Sequence, residues 1–267
     1  MSPRKKQKAS PSAIPIAPGG SVLRPMKSAE QASRDIVRQI TDNGLQPGDS
    51  LPAEATMIKQ LGYSRESVRE ALRLLEVQGM VTLRRGPGGG PIVGTVDPAN
   101  LGRIEALYFH LAGATYDELL EAWVTAQAIL AARAAANPDV EARQAAMEPY
   151  LEGYLEGTSD NEHHSDLTLF VLGHGGFHSA VASLAQNRVL ELTLATYGQI
   201  VTHHIAVVGD PRPMHDVLVA EHHELARTIV DGEVDKASLL MHQHLENVIV
   251  YTKKDVGDRL EGLIEWL

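Results

Sequence analysis

Cysteine is absent from this chain of 267 residues. That excludes a disulfide framework, a thiolate zinc site and a cysteine nucleophile. It accords with a reducing cytosol. Aromatic residues make up only 4%, which weighs against a β-sandwich or barrel and toward helices. No apolar run approaches the roughly 18–20 residues that span a bilayer, so no membrane partner is expected. The opening MSPRKKQKASPSAIPIAPGGS is basic and lacks an apolar core, so it does not read as a signal peptide. Together these absences predict a cytoplasmic protein. HExxH, G-x-S-x-G and P-loop motifs are missing as well, which removes the commonest signatures of hydrolases and NTPases.

What is present supports a folded chain with two jobs. Hydrophobic residues at 43% and charged residues at 22% allow a packed core. The length suits one large or two modest domains. Net charge is −10 but unevenly placed. Residues 1–93 carry 14 Lys and Arg against 8 Asp and Glu, whereas residues 94–267 carry 10 against 26. All 12 histidines lie in the acidic part. A basic segment joined to an acidic, His-rich one suggests polyanion contact followed by a different activity.

Residues 1–25, rich in Pro, Ser, Gly and Lys, read as a disordered basic arm. The spacing of apolar residues then predicts a helix over 28–43, capped by Ser28, with Ala32, Ile36, Val37 and Ile40 as its buried stripe. Leu51-Pro52 is expected to open a second helix that Gly62 ends. Ser64 caps a third, which stops at Gly79, with Val68, Leu72 and Leu75 facing inward. MVTLRRGPGGGPIVGTV reads as two short strands around a glycine-rich tip. Further helices are predicted over 101–112, 115–136, 138–156, 162–184, 187–206, 213–231, 233–251 and 255–265.

Three helices followed by a hairpin is the order of a winged helix. Ser64, Arg65, Ser67 and Arg69 lie at the start of the third helix, where free N–H groups favour phosphate and arginine can pair with guanine edges. Arg84, Arg85 and Gly86 place cations on a tip that can approach a duplex closely. The alternative for these arginines is a solvated face paired with Glu66, Glu70 and Glu76. The run LQPGDSLPAEATMIKQLGYSRESVREALRLLEVQGMVTLRRGPGGGPIVG resembles the winged-helix domain of the GntR family. The resemblance implies operator contact by Arg65 and Arg69. It also shows Ala55 where the family often carries a further arginine.

His174 and His178 stand four apart and share a face if their segment is helical. His222 and His244 each sit among apolar residues at helical spacing and so point inward. Lone inward histidines are commonly satisfied core residues, but three helices could bring these four together. His163, His164, His203, His204 and His215 read as surface or helix-end residues. DELLEAW…AARAAA, GFHSAV…AQNRVLEL and EHHELARTIVDGEVDKASLLMHQHL resemble the FCD domain of the FadR subfamily, an all-helical ligand-binding bundle. The resemblance implies a divalent metal held by His174, His178, His222 and His244. His174 occupies a position that is Asp in the family, so an all-nitrogen set suits zinc or nickel. It further implies an effector beside Trp123, Gln127 and Asn187. The family often has Arg at the Trp123 position and Glu at that of Gln127. With Trp123 there, and Gly173, Gly175 and Gly176 leaving space, the effector is expected to be apolar, lipid-derived or aromatic.

The expected fold is mainly α, with an arm over 1–25, a winged helix over 26–97 and a helical effector-binding and dimerisation domain over 98–267. The expected function is a transcription repressor that binds double-stranded DNA as a homodimer and is released by a small-molecule effector. Two competing readings are a metal-dependent enzyme in the His-rich part and an architectural DNA-binding protein without an effector.

Overall fold

The computed structural model describes residues 14–16, 26–86, 89–151, 167–202 and 212–266. Two compact units divide the chain: Ile16–Leu101, and Met1–Pro15 with Gly102–Leu267.

The first unit holds α1 (Ser28–Asp42), α2 (Glu54–Leu61), α3 (Arg65–Val77) and the antiparallel strands β1 (Val81–Arg84) and β2 (Gly90–Val93). Ala32, Ile36, Met57, Val68, Leu72 and Leu75 close its core with Val81 and Val93. Ser28 proves to be the first helical residue and not the cap. Lys27 takes that place, its N–H donating to the Glu30 carboxylate at 3.0 Å. Val37 is exposed, so the buried stripe of α1 is narrower than its spacing suggested. Leu51 and Pro52 do not open α2. Ser50 forms a bridge with Ile92, and the Leu51 N–H donates to the Pro91 carbonyl, so this backbone serves the hairpin instead. The turn between α2 and α3 needs Gly62, whose φ is 74°. Ser64 caps α3 as expected, accepting from the Ser67 N–H at 3.1 Å.

The second unit is wholly helical apart from one bridge among its described residues: α4 (Pro98–Ala112, entering from the first unit), α5 (Tyr116–Ala135), α6 (Val140–Leu151), α7 (Leu167–Leu184), α8 (Arg188–Val201), α9 (His215–Asp231) and α10 (Val234–Val256). Thr115 and Glu118 form a capping box that starts α5. That helix is central and packs against α7, α8, α9 and α10. Its Leu130, Ala131 and Ala134 meet Phe177, Leu225, Ile229, Met241 and Leu245 in the core. The helix expected over 255–265 is absent. The chain passes instead through a 3-10 turn (Gly257–Glu261) into an extended strap. The strap's backbone is taken by the corner before α5: Ile264 N–H donates to the Ala114 carbonyl and Tyr116 N–H to that of Gly262. Within the arm region, Ile14 N–H donates to the Leu111 carbonyl at 2.8 Å. Residues 1–13 and 17–25 lie outside the described residues, as do His163, His164, His203 and His204.

Candidate functional site

Three helices carry the four histidines to one place. His174 and His178 are one turn apart on α7, His222 is on α9 and His244 on α10. Nε2 of His174 and His178 lie 3.3 Å apart, and Nε2 of His222 and His244 lie 3.2 Å apart. One ligand atom from each of the four falls within 4.8 Å of the others. The ring of His222 is stacked between Phe177, at 4.0 Å, and His174, at 4.8 Å.

Burial holds His174 neutral, pushing it down to about 3, with His244 adding to the effect. Burial also takes His178 and His222 well below the ordinary imidazole value, helped by the neighbouring rings. At neutral pH these rings therefore offer lone pairs and no charge. His244 differs in its outer contact: its Nδ1 lies 2.7 Å from Glu221 Oε2, while Asn247 donates to the other carboxylate oxygen at 2.7 Å. Burial alone would raise the Glu221 carboxyl, but these hydrogen bonds outweigh it and hold it lowered.

The donor set fits a nitrogen-loving divalent ion. Zinc–imidazole bonds of about 2.0–2.1 Å put neighbouring nitrogens of a tetrahedron about 3.3 Å apart. The two close Nε2 pairs match that spacing. The His244–Glu221 contact is the kind that fixes the tautomer and orientation of a metal-binding ring.

Beside the histidines lies a cavity of about 320 Å³. His174 and His178 form part of its wall, with Leu120, Trp123 and Gln127 of α5, Leu194 and Gly198 of α8, and Val248 of α10. Trp123 lies 6.2 Å from His178, ring to ring. A Cβ built on Gly175 or Gly198 would meet nothing within 4 Å, so both glycines add volume. Asn187 is elsewhere. It does not line the cavity, and its carboxamide oxygen caps α8 by accepting from the Val189 and Leu190 N–H groups. An Asn directly before an apolar helical run is a cap signal, and that reading accounts for its place in the chain.

On the first unit, Ser64, Arg65 and Arg69 are exposed along the first turns of α3, and Ser67 is half-buried with its hydroxyl 2.9 Å from that of Ser64. Arg65 has no ion pair among the described residues. Arg69 does: its Nε donates to both oxygens of Glu54, at 3.1 Å each. That contact joins α2 to α3 across 15 positions and replaces the partners Glu66, Glu70 and Glu76 that helical spacing offered. Arg84, Arg85 and Gly86 are exposed at the hairpin. Helical spacing also left unseen the α8 and α10 side of the cavity and the Glu221 contact. Each depends on which helices pack together.

Residues 28–89 match the family described as bacterial regulatory proteins, gntR family, and residues 115–247 match the FCD domain. The chain is 27% identical over 239 residues to the Uxu operon transcriptional regulator of Escherichia coli, covering 85% of this chain and 86% of that one. It is 25% identical over 252 residues to the Exu regulon transcriptional regulator of Escherichia coli, covering 90% of each. Among solved structures, Streptococcus agalactiae GntR shares the fold with a TM-score of 0.59 and 20% identity, over 82% of this chain and 98% of that one. The relatives regulate transcription, so the enzyme reading of the histidines gives way. The chain belongs to the gntR family of bacterial regulatory proteins and is a transcriptional regulator carrying an FCD effector-binding domain.

Proposed function

We propose that this regulator is a metal-containing repressor of the cytoplasm that releases its operator when an apolar effector enters the cavity beside the histidines. The observation that carries this reading is the convergence of His174, His178, His222 and His244 at the wall of a mostly apolar cavity. Zinc or nickel is the ion best matched to four neutral imidazoles. When bound it supplies a Lewis-acidic position at the cavity's edge. His174 and His178 face both the ion and the cavity, and Glu221 holds His244 in register. Trp123 presents an apolar indole face in which a lipid-derived or aromatic effector can be seated.

The DNA-binding unit is assigned to residues 26–97 and the effector-binding and dimerisation unit to 98–267. Ser64, Arg65, Ser67 and Arg69 read the major groove, and Arg84, Arg85 and Gly86 hold the wing on the backbone or minor groove. Two copies on a near-palindromic operator match the two-fold symmetry of the site. The effector acts by favouring a dimer whose two reading helices are misplaced for the half-sites. Metal content tests the core of this reading. Purified untagged protein is expected to carry about one transition metal per chain, and His178→Ala to lose it. Absence of metal in both, even after zinc or nickel is offered, overturns the ligand assignment.

A further inference from the structure

The cavity wall contains polar atoms that the protein itself leaves unsatisfied. Gln127 is buried, 5% exposed, and its Oε1 has no hydrogen-bond partner among the described residues. One helical turn earlier, Trp123 Nε1 is buried and also has none. The neighbouring hydroxyls of the wall are occupied. Ser179 donates to the Gly175 carbonyl at 2.9 Å and Thr252 to that of Val248 at 2.7 Å. No Lys or Arg lines the cavity among the described residues, and Glu191 is its single carboxylate. A buried amide oxygen without a donor costs roughly 1–3 kcal/mol. A site that keeps such an atom discriminates strongly in favour of ligands that supply the missing donor.

Resting on the effector reading above, we infer that the effector carries an uncharged hydroxyl on its apolar body, which donates to Gln127 Oε1. The same oxygen, or a carbonyl beside it, is within the chemistry of the Trp123 N–H, a donor only. The class is thus a hydroxylated apolar or aromatic compound. An unsubstituted hydrocarbon chain or ring would leave Gln127 and Trp123 unmet. A second cationic or anionic group away from the histidines would find no counter-charge except the wrong one, Glu191.

Calorimetry with probes of one body tests this. The probes are 2-naphthoate and its 5-, 6- and 7-hydroxy derivatives, so that the carboxylate is constant and only the hydroxyl and its position change. At least one hydroxylated acid is expected to bind the wild-type chain roughly fivefold or more tighter than the parent, the net worth of one hydrogen bond. In Gln127→Leu that advantage disappears, while 2-naphthoate binds as well as before or better. The inference is overturned if no isomer gains over the parent, if the gain survives in Gln127→Leu, or if none of the four acids binds. Gly175→Leu fills the cavity from a position with open space and a better helix former. If it abolishes 2-naphthoate binding while the hydroxyl gain is missing, only the inference falls. If it leaves binding intact, the effector cavity falls with it.

Discussion

His222 is 1% exposed, pressed against Phe177 on one face and His174 on the other. An imidazole so enclosed resists protonation, and the same holds for His174 and His178. In the unfolded chain all three take up protons as pH falls below about 6.5. The folded chain does not, so the unfolded state binds more protons and stability falls with pH. The window opens at the unfolded value and extends for His174 down to about 3. By pH 5 each such ring removes about 2 kcal/mol of stability from the metal-free protein. Urea unfolding of chelator-treated protein is expected to show a midpoint that drops between pH 7 and pH 5, and drops less in His222→Gln. A flat profile would mean that the rings are hydrated and ionise freely in the folded chain.

At the scale of elements, α3 gives its first turn two tasks. Ser64 satisfies the helix end through its hydroxyl, and Arg65 stands clear of any acid among the described residues. The two tasks separate by mutation. Ser64→Ala is expected to cost about 1 kcal/mol of stability, as the loss of a cap does. Arg65→Ala is expected to leave thermal stability near that of wild type and to weaken operator binding by about 1–3 kcal/mol, with relaxed sequence preference. Anisotropy titration beside a melting curve distinguishes them; equal operator affinity in Arg65→Ala would remove that arginine from the reading surface. This helix is legible in the sequence because its signals are local: a serine cap, an apolar stripe of Val68, Leu72 and Leu75, a glycine stop. The four inward histidines are legible in the same way, through their apolar neighbours one turn away. The start of α2 is not, because Ser50 and Leu51 answer to a strand 40 residues later. Neither is the end of α10. The chain beyond Val256 carries a helical pattern, yet its peptide groups are claimed by Ala114 and Tyr116. Long-range hydrogen bonding overrides local periodicity at both places.

At the scale of the whole molecule, charge is the property that separates the parts. Residues 1–24 contribute Arg4, Lys5, Lys6, Lys8 and Arg24 and no acid. We expect these cations to neutralise operator phosphates and so to steepen the fall of affinity with salt. Deleting residues 1–24 is expected to reduce the slope of log K against log[salt], by about 0.9 for each phosphate that the arm neutralises. A slope identical to that of the full chain would remove the arm from the DNA and leave the winged helix to account for all of the electrostatics.

The strap that closes the second unit also sets the order in which the chain becomes competent during synthesis. The core of the first unit is complete once residue 93 has emerged, since Val93 is its last buried member. The cavity, in contrast, has Leu260 in its wall, and the corner before α5 is sealed by Gly262 and Ile264. At translation speeds of about 5–20 residues per second, the sensing half is finished on the order of ten seconds or more after the reading half. A nascent regulator therefore passes through an interval in which it can hold a half-site but has nothing with which to answer its effector.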